Sequence, residues 1–147
     1  MRLYLDACCL SRLTDDQSQS RVREEAEAVE RILDAISDGR AVWVSSTVLE
    51  IEIDRNRSDD RRRETAAILV YANETVVPGA DDAARAKNLQ ALGFGASDAL
   101  HLACAESAGV NAFLTTDDRL LRLARRHAHV LLLRVENPLS WYREGLV

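Results

Sequence analysis

The stretch RLYLDACCLSRL, residues 2–13, decides the fold and raises the first question about chemistry. Its apolar run ends at Leu5, a lone carboxylate follows at Asp6, and Cys8 and Cys9 stand side by side in what reads as the strand end. A short, continuous apolar run is the pattern of a strand buried on both faces, as in a parallel sheet. What Asp6 meets at the end of that strand depends on the elements that follow.

Downstream, helical periodicity alternates with short apolar runs. Val22, Ala26, Val29, Leu33 and Ile36 recur at steps of three and four, the stripe of an amphipathic helix that Gly39 would stop. AVWVSS (41–46) is β-branched and aromatic and reads as a strand, with Ser46 placed to cap a helix through TVLEIEIDR (47–55). Beyond the charged run RNRSDDRRR (55–63), ETAAILVYAN (64–73) reads as a helix and TVV (75–77) as a strand ahead of Pro78 and Gly79. DDAARAKNLQAL (81–92) is a helix with acids in its first turn, ended by Gly93. SDALHLACAESAG (97–109) is another, with Ser97 as N-cap, Asp98 in the first turn and Gly109 as the stop. AFLTT (112–116) is the fourth strand, DDRLLRLARRH (117–127) a helix and VLLLRV (130–135) the fifth strand.

Strands that alternate with helices need crossover connections, and these build a mainly parallel sheet covered on both faces. The expected fold is therefore α/β, a three-layer α/β/α sandwich. No internal repeat or low-complexity tract interrupts the alternation, and at 147 residues the chain, 1–147, reads as a single domain.

The composition, 47% hydrophobic and 29% charged, is that of a soluble globular protein rather than a disordered one. A net charge of -5 argues against attachment to duplex DNA by bulk electrostatics, while local basic clusters remain able to bind phosphates. Three cysteines, Cys8, Cys9 and Cys104, are an odd number and fit a reducing compartment better than a disulfide framework. The first residues lack a signal-peptide pattern and no apolar run approaches the ~20 residues that span a bilayer. The expectation is a cytoplasmic protein with no membrane association.

In open parallel sheets the functional crevice lies beyond the carboxyl ends of the strands, so the acids just after strands carry the interest. Asp6 follows the first strand and Asp117 the fourth; Asp98 at a helix start and Glu52 in the second helix complete a constellation. Taken singly, each Asp is most often a turn residue or helix cap. Taken together, four carboxylates repel one another unless a cation joins them, and hard oxygen ligands suit Mg2+ or Mn2+.

The wording around these four acids resembles the PIN-domain family, in particular its VapC-like ribonuclease toxins of bacterial toxin-antitoxin pairs. LYLDACCLSRL looks like the family's opening strand and first acid, SSTVLEIEI its Glu-bearing helix, ASDALHLACA its third acid and FLTTDD its fourth. The likeness runs from Arg2 to about Asn137. It implies a PIN-like fold and a Mg2+- or Mn2+-dependent endoribonuclease that cuts single-stranded RNA, with Asp6, Glu52, Asp98 and Asp117 as catalytic metal ligands. It also implies a homodimer held by a cognate antitoxin. Both Glu50 and Glu52 are available in the second motif; Glu52, six residues after Ser46, has the family's usual spacing. Where the family often has Asn or Thr after its first acid this chain has Ala7 and Cys8, so a side chain to orient Asp6 is missing there. Asp117 matches the Thr-x-Asp pattern through Thr115, which leaves Asp118 as a solvent-facing neighbour.

The run at 55–63 holds five arginines against two aspartates, and such a run is either a solvated face or a guide for an RNA backbone. Arg55, Arg61, Arg62 and Arg63 from this run, with Arg12 near Asp6 and Arg119 after Asp117, are the candidate RNA contacts. His101 and Cys104 stand three apart on one helix without a second spaced pair to complete a zinc site, so Cys104 reads as core filler and His101, one turn after Asp98, as a partner for that acid or a cap on the site. An aspartyl-phosphate enzyme would want a second Asp at position 8, which is cysteine, and neither glycine-rich nucleotide motif occurs. The alternative from another class is a non-catalytic PIN-fold module that binds RNA or protein.

Overall fold

The fold was obtained as a computed structural model that describes residues 1–145. Five strands form one sheet: β1 (Arg2–Leu5), β2 (Val42–Ser46), β3 (Glu74–Val76), β4 (Ala112–Leu114) and β5 (Arg134–Glu136). Their spatial order is β3-β2-β1-β4-β5, and every pairing is parallel. β1 is central, with Leu3 opposite Trp43 on one side and Ala112 on the other. This is the expected sandwich.

Alternation along the strands separates two cores. Leu3, Leu5, Trp43, Ala112 and Leu114 point to one face and pack under α1 (Ala7–Ser11), α2 (Ser20–Ser37), α3 (Thr47–Asp54) and α8 (Pro138–Arg143). Tyr4, Val44, Phe113 and Val135 point to the other, under α5 (Ala80–Ala91), α6 (Ala96–Ser107) and α7 (Asp118–Arg126). Period-two alternation within continuous apolar runs is what a sheet buried on both sides requires. Tyr4 stacks on Phe113 with ring centroids 5.1 Å apart, which locks the second core to the centre of the sheet.

Several boundaries differ from the sequence reading, each for a local reason. Cys8 and Cys9 lie in α1 rather than at a strand end, because Asp6 caps a helix there: its Oδ1 accepts the Ala7 N–H at 2.8 Å and its carbonyl accepts that of Cys9 at 3.0 Å. The charged run at 55–63 is partly helical. Ser58 accepts the Arg61 N–H and α4 (Asp59–Leu69) begins with Asp59 and Asp60 against its N-terminal partial charge. It ends before Val70 because Asn73 is drawn to the sheet, donating its N–H to the Trp43 carbonyl and accepting the Trp43 N–H on Oδ1. Gly95, not Ser97, caps α6; its carbonyl accepts the Ala99 N–H at 2.8 Å, which leaves Asp98 in the first turn.

Of VLLLRV only Arg134 and Val135 join β5. Upstream, the Leu132 N–H is taken by Glu106 and the Val130 carbonyl by Arg85, whose guanidinium also holds Glu106, so side chains satisfy that backbone instead of a ladder. Gly109 stops α6 at φ +69°, a conformation that costs a residue with a Cβ. Among the described residues no helix is long and apolar enough to cross a membrane.

Helix α8 has no counterpart in the sequence pattern. Asn137 caps it through the Leu139 N–H, Pro138 takes its first position, and Trp141 is buried against α2. Trp141→Ala should therefore lower unfolding free energy by about 3–5 kcal/mol in urea denaturation, the range for removing a large buried aromatic. A loss under about 1 kcal/mol would mean that α8 does not dock on α2 in solution.

Candidate functional site

Because all strands run the same way, their carboxyl ends share one edge, and the candidate acids gather there. Asp6 leaves β1 and Asp117 leaves the neighbouring β4. Ser46 ends β2 and caps α3 by accepting the Leu49 N–H at 3.1 Å, which starts the helix that carries Glu52. Asp98 and His101 are one turn apart on α6.

Asp6 is 6% exposed, and its two oxygens have separate partners. Oδ1 caps α1, while Oδ2 accepts the Thr115 hydroxyl at 3.1 Å. The hydroxyl expected to be missing beside the first acid thus comes from β4's end instead of from α1. Cys8 fills the corner, its Sγ 3.1 Å from Thr115 Oγ1 and 3.5 Å from Asp6 Oδ2, and accepts the Thr116 N–H. Cys9 and Cys104 are buried, and all three cysteines are free.

Glu52 is the acid of the second motif that meets Asp6. Its Oε2 lies 2.5 Å from His101 Nε2, and ligand atoms of Asp6, Glu52 and His101 all fall within 4.8 Å of one another, a spacing compatible with a shared metal ion. Glu50 lines a groove elsewhere, with Ile53, Asp54 and Arg62. Asp98 and Asp117 share a cleft of about 140 Å³ with Arg119, Gly93 and Gly95. Asp117 is also a helix cap, its Oδ1 accepting the N–H groups of Arg119 and Leu120 at 2.9 and 3.3 Å. Capping and membership of the acidic site are therefore combined in Asp6 and Asp117 instead of excluding each other.

The carboxylates sense one another. Burial pushes the Asp6 carboxyl above its ordinary range, with the charge of Glu52 adding to it, against the pull of His101, Ala7 N–H and Thr115. Burial, and then the charges of Asp6 and Asp117, push Asp98 up to about 6. For His101 burial works the other way, but the bond to Glu52 and the charges of Asp6, Glu52 and Asp98 outweigh it and raise the imidazole.

Of the six candidate arginines only Arg119 lines the cleft with Asp98 and Asp117. Arg12 is held by Glu25 at 3.0 Å and Asp15 at 2.8 Å; Arg61 pairs with Asp15 and bonds Thr14; Arg62 bonds Asp59 and the Asn56 carbonyl. Arg55 and Arg63 are exposed. Asp118 is exposed but not free, since Arg21 grips both its oxygens at 2.8 and 2.9 Å and also the Thr116 carbonyl. Sequence reasoning passed over Tyr4, whose hydroxyl lies 2.6 Å from His101 Nδ1, and Glu25, a carboxylate 1% exposed that accepts from Arg12, Arg21 and Asn137. A Tyr inside an otherwise aliphatic strand and a Glu on the apolar stripe of α2 were the available signals.

The family model for the PIN domain matches residues 3–126. Among solved structures, VapBC2 from Rickettsia felis, bound to a DNA fragment from their promoter, is similar at a TM-score of 0.62 and 12% identity, covering 93% of this chain and 98% of that one. FitAcB from Neisseria gonorrhoeae matches at 0.60 and 16%, covering 92% and 97%. VapBC-1 from nontypeable Haemophilus influenzae matches at 0.60 and 15%, covering 94% and 98%. No curated protein matches the chain significantly.

The raised Asp98 carboxyl predicts a pH dependence. Its folded pKa of about 6 exceeds the unfolded value near 3.9, so its ionisation disfavours the fold, and stability present below about pH 4 is lost as pH rises through 6. In EDTA, Asp98→Asn should be more stable than the parent at pH 7, by at most about 2 kcal/mol after solvent screening, and the gain should vanish near pH 4. Urea denaturation of both proteins at the two pH values checks this; equal stability at pH 7 would show that Asp98 carries no strain.

Proposed function

Since the chain belongs to the PIN-domain family, we propose that it is a VapC-type toxin, a divalent-metal-dependent endoribonuclease that cleaves phosphodiesters of single-stranded RNA. The observation that carries this reading is the meeting of Asp6, Glu52, Asp98 and Asp117 at one sheet edge, with two of their carboxyls pushed up by burial and by one another. Carboxylates held at that cost suit a cation, and their oxygens suit Mg2+ or Mn2+. Asp6, Glu52, Asp98 and Asp117 would hold it. Such an ion supplies charge compensation to a phosphate and makes water nucleophilic at neutral pH.

The chain's own residues supply orientation and recognition. Asp6 is fixed by two bonds, so it presents its oxygens without a reorganisation cost. Arg119 faces the same cleft as Asp98 and Asp117, which supports it as the contact for a phosphate of the RNA strand. Arg55 and Arg63 are exposed and extend the basic surface, whereas Arg12, Arg61 and Arg62 reach RNA only by giving up protein carboxylates. A cognate antitoxin and a homodimer complete the reading, in keeping with the VapBC proteins that share the fold. The compartment is the cytoplasm, where RNA is met.

Asp6→Asn keeps the cap but removes a charge, so it should abolish Mn2+-dependent cleavage of single-stranded RNA while leaving the EDTA-treated protein as stable as the parent or more so. Equal cleavage by both proteins would remove Asp6 from the site, and Mn2+ binding by the parent with no cleavage of any RNA would favour the non-catalytic binding module. Arg119→Gln should lower RNA affinity and reduce the log-log salt slope by about 0.7, the value of one single-strand phosphate contact, whereas Arg61→Gln should leave the slope unchanged. Binding isotherms from 50 to 200 mM salt distinguish them.

A further inference from the structure

Glu52 stands at the acidic crevice with its side chain 43% open, yet it is tied to a chain of groups that runs into the core. His101 is fully buried and touches Glu52 with Nε2 at 2.5 Å and the Tyr4 hydroxyl with Nδ1 at 2.6 Å. The same hydroxyl lies 2.6 Å from Ser46 Oγ, which accepts the Leu49 N–H at the start of α3. The four side chains come from β1, β2, α3 and α6, and the path begins and ends on α3: Ser46 caps the helix and Glu52 rides on it.

One pattern of donation satisfies every atom. Ser46 donates to Tyr4, Tyr4 to Nδ1 of His101, and Nε2–H to Glu52, while Ser46 Oγ still accepts the Leu49 N–H. The ring is further restrained by an edge contact with Tyr4 at 5.8 Å between centroids, and Tyr4 by its stack on Phe113. The Tyr4 ring packs in the second core, but the hydroxyls and ring nitrogens of this chain add nothing to that packing, and apolar residues of similar volume would fill the space without a need for partners.

We propose that Tyr4 and His101 are positioning residues that aim Glu52 at the acidic crevice. The inference rests on the metal-dependent reading for its purpose, but the relay itself does not. Groups of this kind hold a carboxylate in one orientation before a cation arrives, and loss of one outer partner typically costs 10–100-fold in metal affinity or activity. The same contact explains how two glutamates on one short helix come to differ: Glu52 meets the imidazole, and Glu50, two residues away, points to the groove beside Arg62.

Tyr4→Phe removes one oxygen and keeps the stack on Phe113, so it tests the relay without emptying the core. It should weaken Mn2+ binding about tenfold in titrations without RNA, and lower kcat for RNA cleavage with little change in KM. His101→Gln should do at least as much, and the double variant no more than His101→Gln alone, because both act through Glu52. A matched loss of stability at Trp141, on the other face of the sheet, should leave Mn2+ affinity unchanged. In the metal-free protein the 13C carboxylate resonance of Glu52 should move in Tyr4→Phe while that of Glu50 stays. Unchanged Mn2+ affinity together with an unmoved Glu52 resonance would overturn the proposal. If the parent binds no Mn2+, the metal-dependent reading falls, and the Glu52 resonance still decides the relay by itself.

Discussion

A dehydrated carboxylate at the end of the central strand is the constraint around which the site is arranged. Asp6 has neighbours on both sides, since its backbone N–H bonds the Leu114 carbonyl of β4 while its side chain starts α1. A buried acid without partners would be neutralised or expelled. Here Oδ1 is bound by a backbone N–H and Oδ2 by Thr115, which keeps the group in place but leaves it above its ordinary carboxyl range. The parallel sheet forces the ends of β1 and β4 together, so Asp117 and Thr115 arrive beside Asp6 as a result of topology, and the two helices that start there use the same aspartates as caps.

A second set of charges braces the loops around this edge. Arg61, Asp15, Arg12, Glu25, Arg21 and Asp118 alternate in sign and join α4, the α1–α2 connection, α2 and the start of α7. Glu25 is the buried member, and its desolvation is offset by Arg12, Arg21 and the Asn137 amide. Removing one partner from such a chain leaves its neighbour uncompensated, so the chain favours one arrangement of the elements and adds little net stability. Through Arg21, which also holds the Thr116 carbonyl, that arrangement reaches the turn between Thr115 and Asp117.

The sheet, its five strands and the two-sided helical cover were legible because alternation and helical stripes are local properties of the chain. That Asp6, Glu52, Asp98 and Asp117 come near one another was legible in the strand ends that Asp6 and Asp117 follow and in the family wording around all four. What escaped were features set by distant partners. No local pattern shows that Glu106 and Arg85 capture the backbone of Val130 and Leu132, so VLLLRV read as a full strand. Nor does anything near position 4 show that a tyrosine hydroxyl will find Ser46 and His101, 42 and 97 residues away. Helix α8 is short and owes its existence to Trp141 docking on α2, a tertiary contact that overrides a weak local signal.

Charge counting illustrates the same point in electrostatic terms. A net charge of -5 describes the chain, but the field at the crevice depends on which arginines are already neutralised. Arg12, Arg21, Arg61 and Arg62 each sit within 3.3 Å of a carboxylate oxygen, so a strand of RNA arriving at the acids would meet little free positive charge from them. Arg119 is differently placed: its backbone N–H is spent on Asp117, while its side chain borders the cleft that Asp98 and Asp117 share. On the proposed reading, acids outnumber arginines at that cleft, so a polyanion would be repelled until a divalent cation offset their charge. A cation and a phosphate would then be coupled through the same carboxylates, the affinity for the phosphate rising as the site's own charge is met.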